Sequence, residues 1–229
     1  MAKIVFSAVV GDARKKAGGV VFTKVRSGSI IRRKVSPIQP RSSAQMNVRA
    51  SFTALAKLWS NASMATYRAA WIGLAASYPK KDTFGAAHTL TGLQLFVRLN
   101  RALATIGVAP ILPPPTSLSV GYPGALTLVC TGTPVSVLTV ACATWNAATE
   151  EAIVYATAPQ SAGRATAGAK FRFVYSFATG AGHPLDILAQ YTAKFGAPIS
   201  GRKIFIRVSY THNVTGAQSL PSEASITAP

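Results

Sequence analysis

Lys203-Ile204-Phe205-Ile206-Arg207-Val208-Ser209-Tyr210 sets Ile204, Ile206 and Val208 on one side of an extended chain and Arg207 and Ser209 on the other. A period of two marks a strand buried on one face, because successive side chains point to opposite sides of a sheet. β-favouring text of the same kind recurs upstream at 125–130, 135–143, 152–158, 170–177 and 187–191, each stretch set off by Gly, Pro, Ser, Thr or Asn. Short β-rich runs separated by turn residues predict an all-β second half of the chain.

About 112 residues with six or seven such strands, from 118 to 229, fit one immunoglobulin-like β-sandwich. The closing text is a strand to Tyr210, then Thr211-His212-Asn213-Val214-Thr215-Gly216 and Ser219-Leu220-Pro221-Ser222-Glu223-Ala224. It resembles the last hairpin of a fibronectin type III-like module, in which a tyrosine-bearing strand turns through Gly into an edge strand. Trp145 is the sole candidate for the Trp that such modules carry on an early strand.

Upstream of this half, Ala109-Pro110-Ile111-Leu112-Pro113-Pro114-Pro115-Thr116-Ser117 concentrates prolines that cannot donate backbone hydrogen bonds, so 109–117 is expected to be a stiff linker. Residues 42–108 carry a helical period. Ser42 or Ser43 can cap a helix with Val48, Phe52, Leu55 and Trp59 on its stripe, and Ser63 can start a second with Tyr67, Trp71, Leu74 and Tyr78. Thr91 and Gln94 form a capping-box pair for a third, with Leu95, Leu99, Leu103 and Ile106. The aromatic stripe of Trp59, Tyr67, Trp71 and Phe96 is expected to be core.

Residues 1–41 read as strands and an arm. Val20–Arg26 and Ile30–Val35 flank Ser27-Gly28-Ser29 as a β-hairpin, preceded by a basic turn at 11–19. Pro37 and Pro40 then force an extended path. The expected fold is thus an α+β N-terminal region, made of a basic β-hairpin, an extended arm and a short three-helix unit, followed by an all-β Ig-like sandwich. The expected domains are 1–41, 42–108 and 118–229, joined by the linker at 109–117.

Charge divides along the same line. The 229 residues carry 24 Lys and Arg against 6 Asp and Glu, a formal net charge of +18. Residues 1–110 hold 17 of those cations and 2 of the acids. Six carboxylates and three histidines leave little material for general acid–base chemistry, so no enzyme is expected. Glu150-Glu151 is the only adjacent acidic pair and reads as a solvated loop or edge. His88, His183 and His212 stand apart, and Cys130 and Cys142 read as buried free thiols, so neither a metal nor a cofactor is expected. The Gly- and Lys-rich stretch 11–19 lacks the register of a nucleotide-phosphate loop. No apolar run is long enough to span a bilayer and no leader is evident, so a soluble, non-exported protein without a membrane partner is expected.

Gly18-Gly19-Val20-Val21-Phe22, Gly28 with Ile31-Arg32, Pro37 and Pro40, Gln45, Arg49, Phe52, Trp59, Arg68-Ala69-Ala70-Trp71, Gly92 with Phe96, and Asn100 together set a pattern over most of 18–115. This pattern resembles an uncharacterised group of proteins encoded in bacteriophages and prophage regions. The resemblance implies a virion component assembled in the host cytoplasm, and brings no catalytic residues with it.

The partner-binding residues expected are Arg14, Lys15, Lys16, Lys24, Arg26, Arg32, Arg33, Lys34 and Arg41. Positive charge of this density steers toward acidic surfaces. One reading is a capsid- or tail-associated accessory protein (decoration, cement or adaptor) that docks this basic half on acidic virion proteins in many copies and displays the Ig-like domain. The alternative is a nonspecific DNA-binding protein using the same cations on phosphates. Host-surface glycan is a further partner considered for the Ig-like half, through Tyr122, Trp145 and Tyr155.

Overall fold

The computed structural model describes residues 2–5, 13–25, 28–36, 39, 41–81, 84–146 and 148–229. The chain is mixed α and β and divides into two compact units, Met1–Val97 and Arg98–Pro229.

The first unit opens with a four-stranded antiparallel sheet. Its strands are β1 (Ala2–Ile4), β2 (Lys15–Ala17), β3 (Val20–Val25) and β4 (Gly28–Arg33), in the order β1-β4-β3-β2. The expected hairpin is β3–β4, with Val25 opposite Gly28, so Gly28 and Ser29 already belong to the strand, not to the turn. Residues 26 and 27, which connect the strands, lie outside the described residues. Within the stretch read as a basic turn, Lys15–Ala17 forms a strand of its own: Ala17 pairs with Val20 across Gly18-Gly19. Gly18, at φ 56°, takes the left-handed conformation that a two-residue hairpin loop needs.

Three helices follow. Ser42 caps α1 (Ser43–Ser60), its side chain accepting from the Gln45 N–H. Asn61, not Ser63, opens the next turn: its side chain accepts from the Ser63 N–H, a short 3-10 turn spans Ala62–Met64, and α2 (Ala65–Ser77) continues from it. The small strands β5 (Lys80–Lys81) and β6 (Ala87–His88) pair before α3 (Gly92–Thr105). The Thr91/Gln94 box closes reciprocally, Thr91 N–H to Gln94 Oε1 at 2.9 Å and Gln94 N–H to Thr91 Oγ1 at 3.2 Å. Phe96 anchors the small core, with its ring 5.3 Å from Trp71 edge-on and 5.4 Å from Trp59, and Leu55, Met64, Ala75 and Leu95 are buried with it. Tyr67 is half-buried.

The division between units falls inside α3. In the second unit, Leu99, Asn100, Ala102 and Leu103 are buried. Asn100 accepts from the Ile111 N–H at 2.7 Å and donates to the Ile111 carbonyl at 3.3 Å. The proline-rich segment 109–117 thus lies within this unit, pinned at Ile111 by the Asn100 side chain.

Seven strands complete the second unit: β7 (Leu126–Thr131), β8 (Val137–Cys142), β9 (Glu150–Ala156), β10 (Arg172–Phe177), β11 (Leu185–Asp186), β12 (Lys203–His212) and β13 (Ser222–Thr227). They form a three-stranded sheet, β11-β8-β7, and a four-stranded sheet, β10-β9-β12-β13. Alternate residues of both sheets, among them Leu138 and Val140 of β8, Val154 and Ala156 of β9, and Ile204, Ile206 and Val208 of β12, share one buried core. The alternation read at 203–210 is therefore real, with Ile204, Ile206 and Val208 inward. Segment 187–191, expected as a strand, is instead the start of a helix, α4 (Leu188–Phe195). Leu188, Tyr191 and Phe195 fall on one helical face against the core, the Asp186 side chain accepts from the Leu188 N–H, and Gly196 at φ 82° ends the turn.

Candidate docking surface

In the N-terminal sheet, cross-strand partners share a face. One face carries Ala17, Val20 and Arg33 in one row and Lys15, Phe22 and Ile31 in the next, with Lys24, Ser29 and Ile4 beyond. The opposite face carries Lys16, Val21 and Arg32, then Thr23 and Ile30, then Val25 and Gly28. Each face thus has aliphatic or aromatic side chains at its centre and cations around them. Lys34 follows β4, its N–H donating to the Gly19 carbonyl at 2.8 Å, and Arg14 immediately precedes β2.

The expected binding residues Lys15, Lys16, Lys24, Arg32, Arg33 and Lys34 are therefore gathered on or beside one sheet. They divide between its two faces, with Lys15, Lys24 and Arg33 on one, Lys16 and Arg32 on the other. Arg41 stands outside the sheet, next to the Ser42 cap of α1. Arg26, Pro37 and Pro40 lie outside the described residues; of the arm, Gln39 is tied to α1 by the Arg49 guanidinium at 3.3 Å.

Burial separates this region from the rest. Among the residues whose burial is described, none before Leu55 is buried: Val20, Val21, Phe22, Ile30 and Ile31 are half-buried, and Lys15, Lys16, Lys24, Arg32 and Arg33 are exposed. The open surface continues onto α1. Leu55 and Trp59 turn toward the helical core as expected, whereas Val48 and Phe52, read as members of the same stripe, are 52% and 55% exposed.

The helices add little charge for groove reading. Arg68 is already engaged, with Nε and Nη2 donating to the carbonyls of Trp59 and Asn61 at 3.0 and 2.9 Å, which closes the C-terminal end of α1. No protein-family model, curated protein or solved structure matches this chain.

Elsewhere, polar groups are committed to structure. The reading of Glu150-Glu151 as a solvated pair is overturned: both are buried, because β9 lies between β10 and β12. The Glu150 carboxylate accepts from the Gly121 N–H through Oε1 and from the Asn146 N–H through Oε2, tying two loops together, and its carbonyl accepts from Trp145 Nε1. Glu151 stands across from Thr211, and burial pushes its carboxyl above the usual range.

The histidines stay apart. His183 Nε2 accepts from the Cys142 N–H at 2.8 Å, and His212 Nδ1 accepts from the N–H groups of Val214 and Thr215. Among the described residues no three His, Cys, Asp or Glu side chains converge as metal ligands. Nor is any described helix long and apolar enough to cross a membrane. Of the three aromatics considered for glycan, Tyr122 is exposed, Trp145 packs against the core, and Tyr155 is half-buried beside Phe173. They do not form one platform.

Proposed function

We propose that this chain is a bacteriophage virion structural protein, a capsid- or tail-associated accessory subunit that docks its basic N-terminal sheet on acidic virion proteins. The observation that carries this reading is the four-stranded sheet itself, whose apolar side chains Val20, Val21, Phe22, Ile30 and Ile31 are half-buried with exposed cations beside them on both faces. A small sheet whose apolar side chains are only half-buried on both faces gains little stability from them, so it is suited to being completed by something else. Cations around an apolar centre match an acidic protein surface better than a duplex, whose phosphates reward charge and offer the apolar centre nothing. The resemblance of 18–115 to phage-encoded proteins points the same way.

The second unit is read as an immunoglobulin-like module displayed by the docked subunit. Numbering its strands in order, the first, second and fifth make one sheet and the fourth, third, sixth and seventh the other. That partition agrees with the A-B-E and C′-C-F-G arrangement of such sandwiches. Tyr191 lies between the fifth and sixth strands and donates its hydroxyl to the buried Thr157 carbonyl at 3.1 Å, which is similar in kind to the tyrosine corner. The role assigned is structural, with no catalytic residue and no cofactor.

Mass spectrometry of purified particles tests the proposal. The chain is expected in them at many copies, retained after nuclease treatment. Its absence from particles, or its release by nuclease, sinks the virion reading and favours DNA binding instead.

A further inference from the structure

We infer that the N-terminal sheet is gripped on both faces at once, so that a single subunit bridges two acidic protein surfaces. This rests on the docking function proposed above and adds its geometry. The register makes the two faces near equivalents: Phe22 and Ile31 with Lys15 and Arg33 on one, Val21 and Ile30 with Lys16 and Arg32 on the other. A sheet meant to lie on one surface alternates, apolar toward the partner and polar toward water. This one repeats an apolar centre with cations beside it on both sides, Val21, Phe22, Ile30 and Ile31 being half-buried and Lys15, Lys16, Arg32 and Arg33 exposed. Docking one face alone would use only one half of this repeated pattern. Charge complementarity names the occupant of each side as a protein surface with carboxylates around an apolar patch. Two such surfaces from neighbouring subunits, with the sheet between them, satisfy both faces, which is how a cementing subunit holds its neighbours together.

Lys15 and Lys16 are adjacent in sequence and point to opposite faces, which gives a direct test on intact particles containing the full chain. Carbodiimide couples a lysine to a carboxylate in contact with it. Couplings from Lys15 are expected at one set of Asp and Glu residues, and those from Lys16 at another, on a second surface. If every coupling comes from one face, or both faces couple to the same patch, the bridging inference is overturned while docking stands. If the chain is missing from particles or is freed by nuclease, the docking function itself fails. Face-selective variants give an independent readout. Phe22→Glu with Ile31→Glu, and separately Val21→Glu with Ile30→Glu, are each expected to lower incorporation about tenfold or more. Incorporation of either at the wild-type level overturns the inference. All four residues lie in the first unit, so the far-UV circular dichroism and thermal unfolding of the full chain, matched to wild type, are the control that each variant folds.

Discussion

At the scale of single residues, the second unit depends on polar atoms that composition alone made look dispensable. Glu150 is the clearest. Its two carboxylate oxygens each take a backbone N–H from a different loop, so Glu150→Gln replaces one acceptor with a donor facing a donor. A loss of about 1–3 kcal/mol in urea denaturation is expected. Glu151 behaves differently, since burial raises its carboxyl above the usual range. A raised carboxyl binds its proton more tightly in the folded chain than in the unfolded one. Its contribution to stability is therefore fullest below the usual carboxylate range and is lost as pH rises through the folded value. Denaturation of Glu151→Gln between about pH 4 and pH 7 should accordingly show a smaller loss on raising the pH than wild type. An unchanged difference would refute the assignment. The cysteines follow from register: Cys142 lies opposite Leu126 and Cys130 opposite Leu138. Four residues of offset is roughly 13 Å along a strand, beyond the reach of about 7 Å that a disulfide allows. Both thiols are expected to alkylate on unfolding without prior reduction.

At the scale of elements, caps and turns decide where helices and strands stop. Gly216 has φ 70°, and a Cβ added there would run into the Leu99 carbonyl and sit 3.1 Å from Leu103 Cγ. Gly216→Ala combines left-handed strain with a clash against the buried half of α3 and is expected to cost about 2–4 kcal/mol in thermal unfolding. Thr91→Ala removes one half of a reciprocal cap and should cost about 1 kcal/mol. That box was legible in the sequence because it is local: two residues three apart satisfy each other without any distant partner. The strand at 203–210 was legible for a similar reason, its alternation repeating over enough residues to fix both type and face. α4 was not. Ile187-Leu188-Ala189-Gln190-Tyr191 is β-favouring in composition, and what makes it helical lies outside that window, in the Asp186 side chain before it and Phe195 and Gly196 after it. β1 and β2 were invisible as sheet members for a different reason. A three-residue strand has no period to read, and each exists because β4 or β3 offers it an edge.

At the scale of the whole molecule, the cations could be named from the sequence but their openness could not. Lys15, Lys16, Arg32 and Arg33 announce themselves by charge, whereas the incomplete burial of Val21, Phe22, Ile30 and Ile31 between them depends on what the rest of the fold packs against the sheet. The helical stripe shows the same limit, since Val48 and Phe52 have the spacing of core residues and yet remain outside it. The docking proposed for this chain would thus draw on residues outside the buried cores. Reversing Arg32, Arg33 and Lys34 to Glu is expected to abolish incorporation into particles while shifting the melting temperature of the first unit, which contains them, by no more than about 1–2 °C. A large fall in melting temperature would mean that these cations serve the fold.

The sheet has a colloidal consequence for the free subunit. Among the described residues its outer strands β1 and β2 are each paired on one side only, the usual template for strand-on-strand aggregation, and like charge on and beside the sheet holds copies apart. That protection is electrostatic and works over a Debye length, about 10 Å in 0.1 M salt and about 3 Å in 1 M. Unassembled protein should stay dispersed in dilute buffer and begin to self-associate as salt is raised, the reverse of the trend for contacts held by charge attraction.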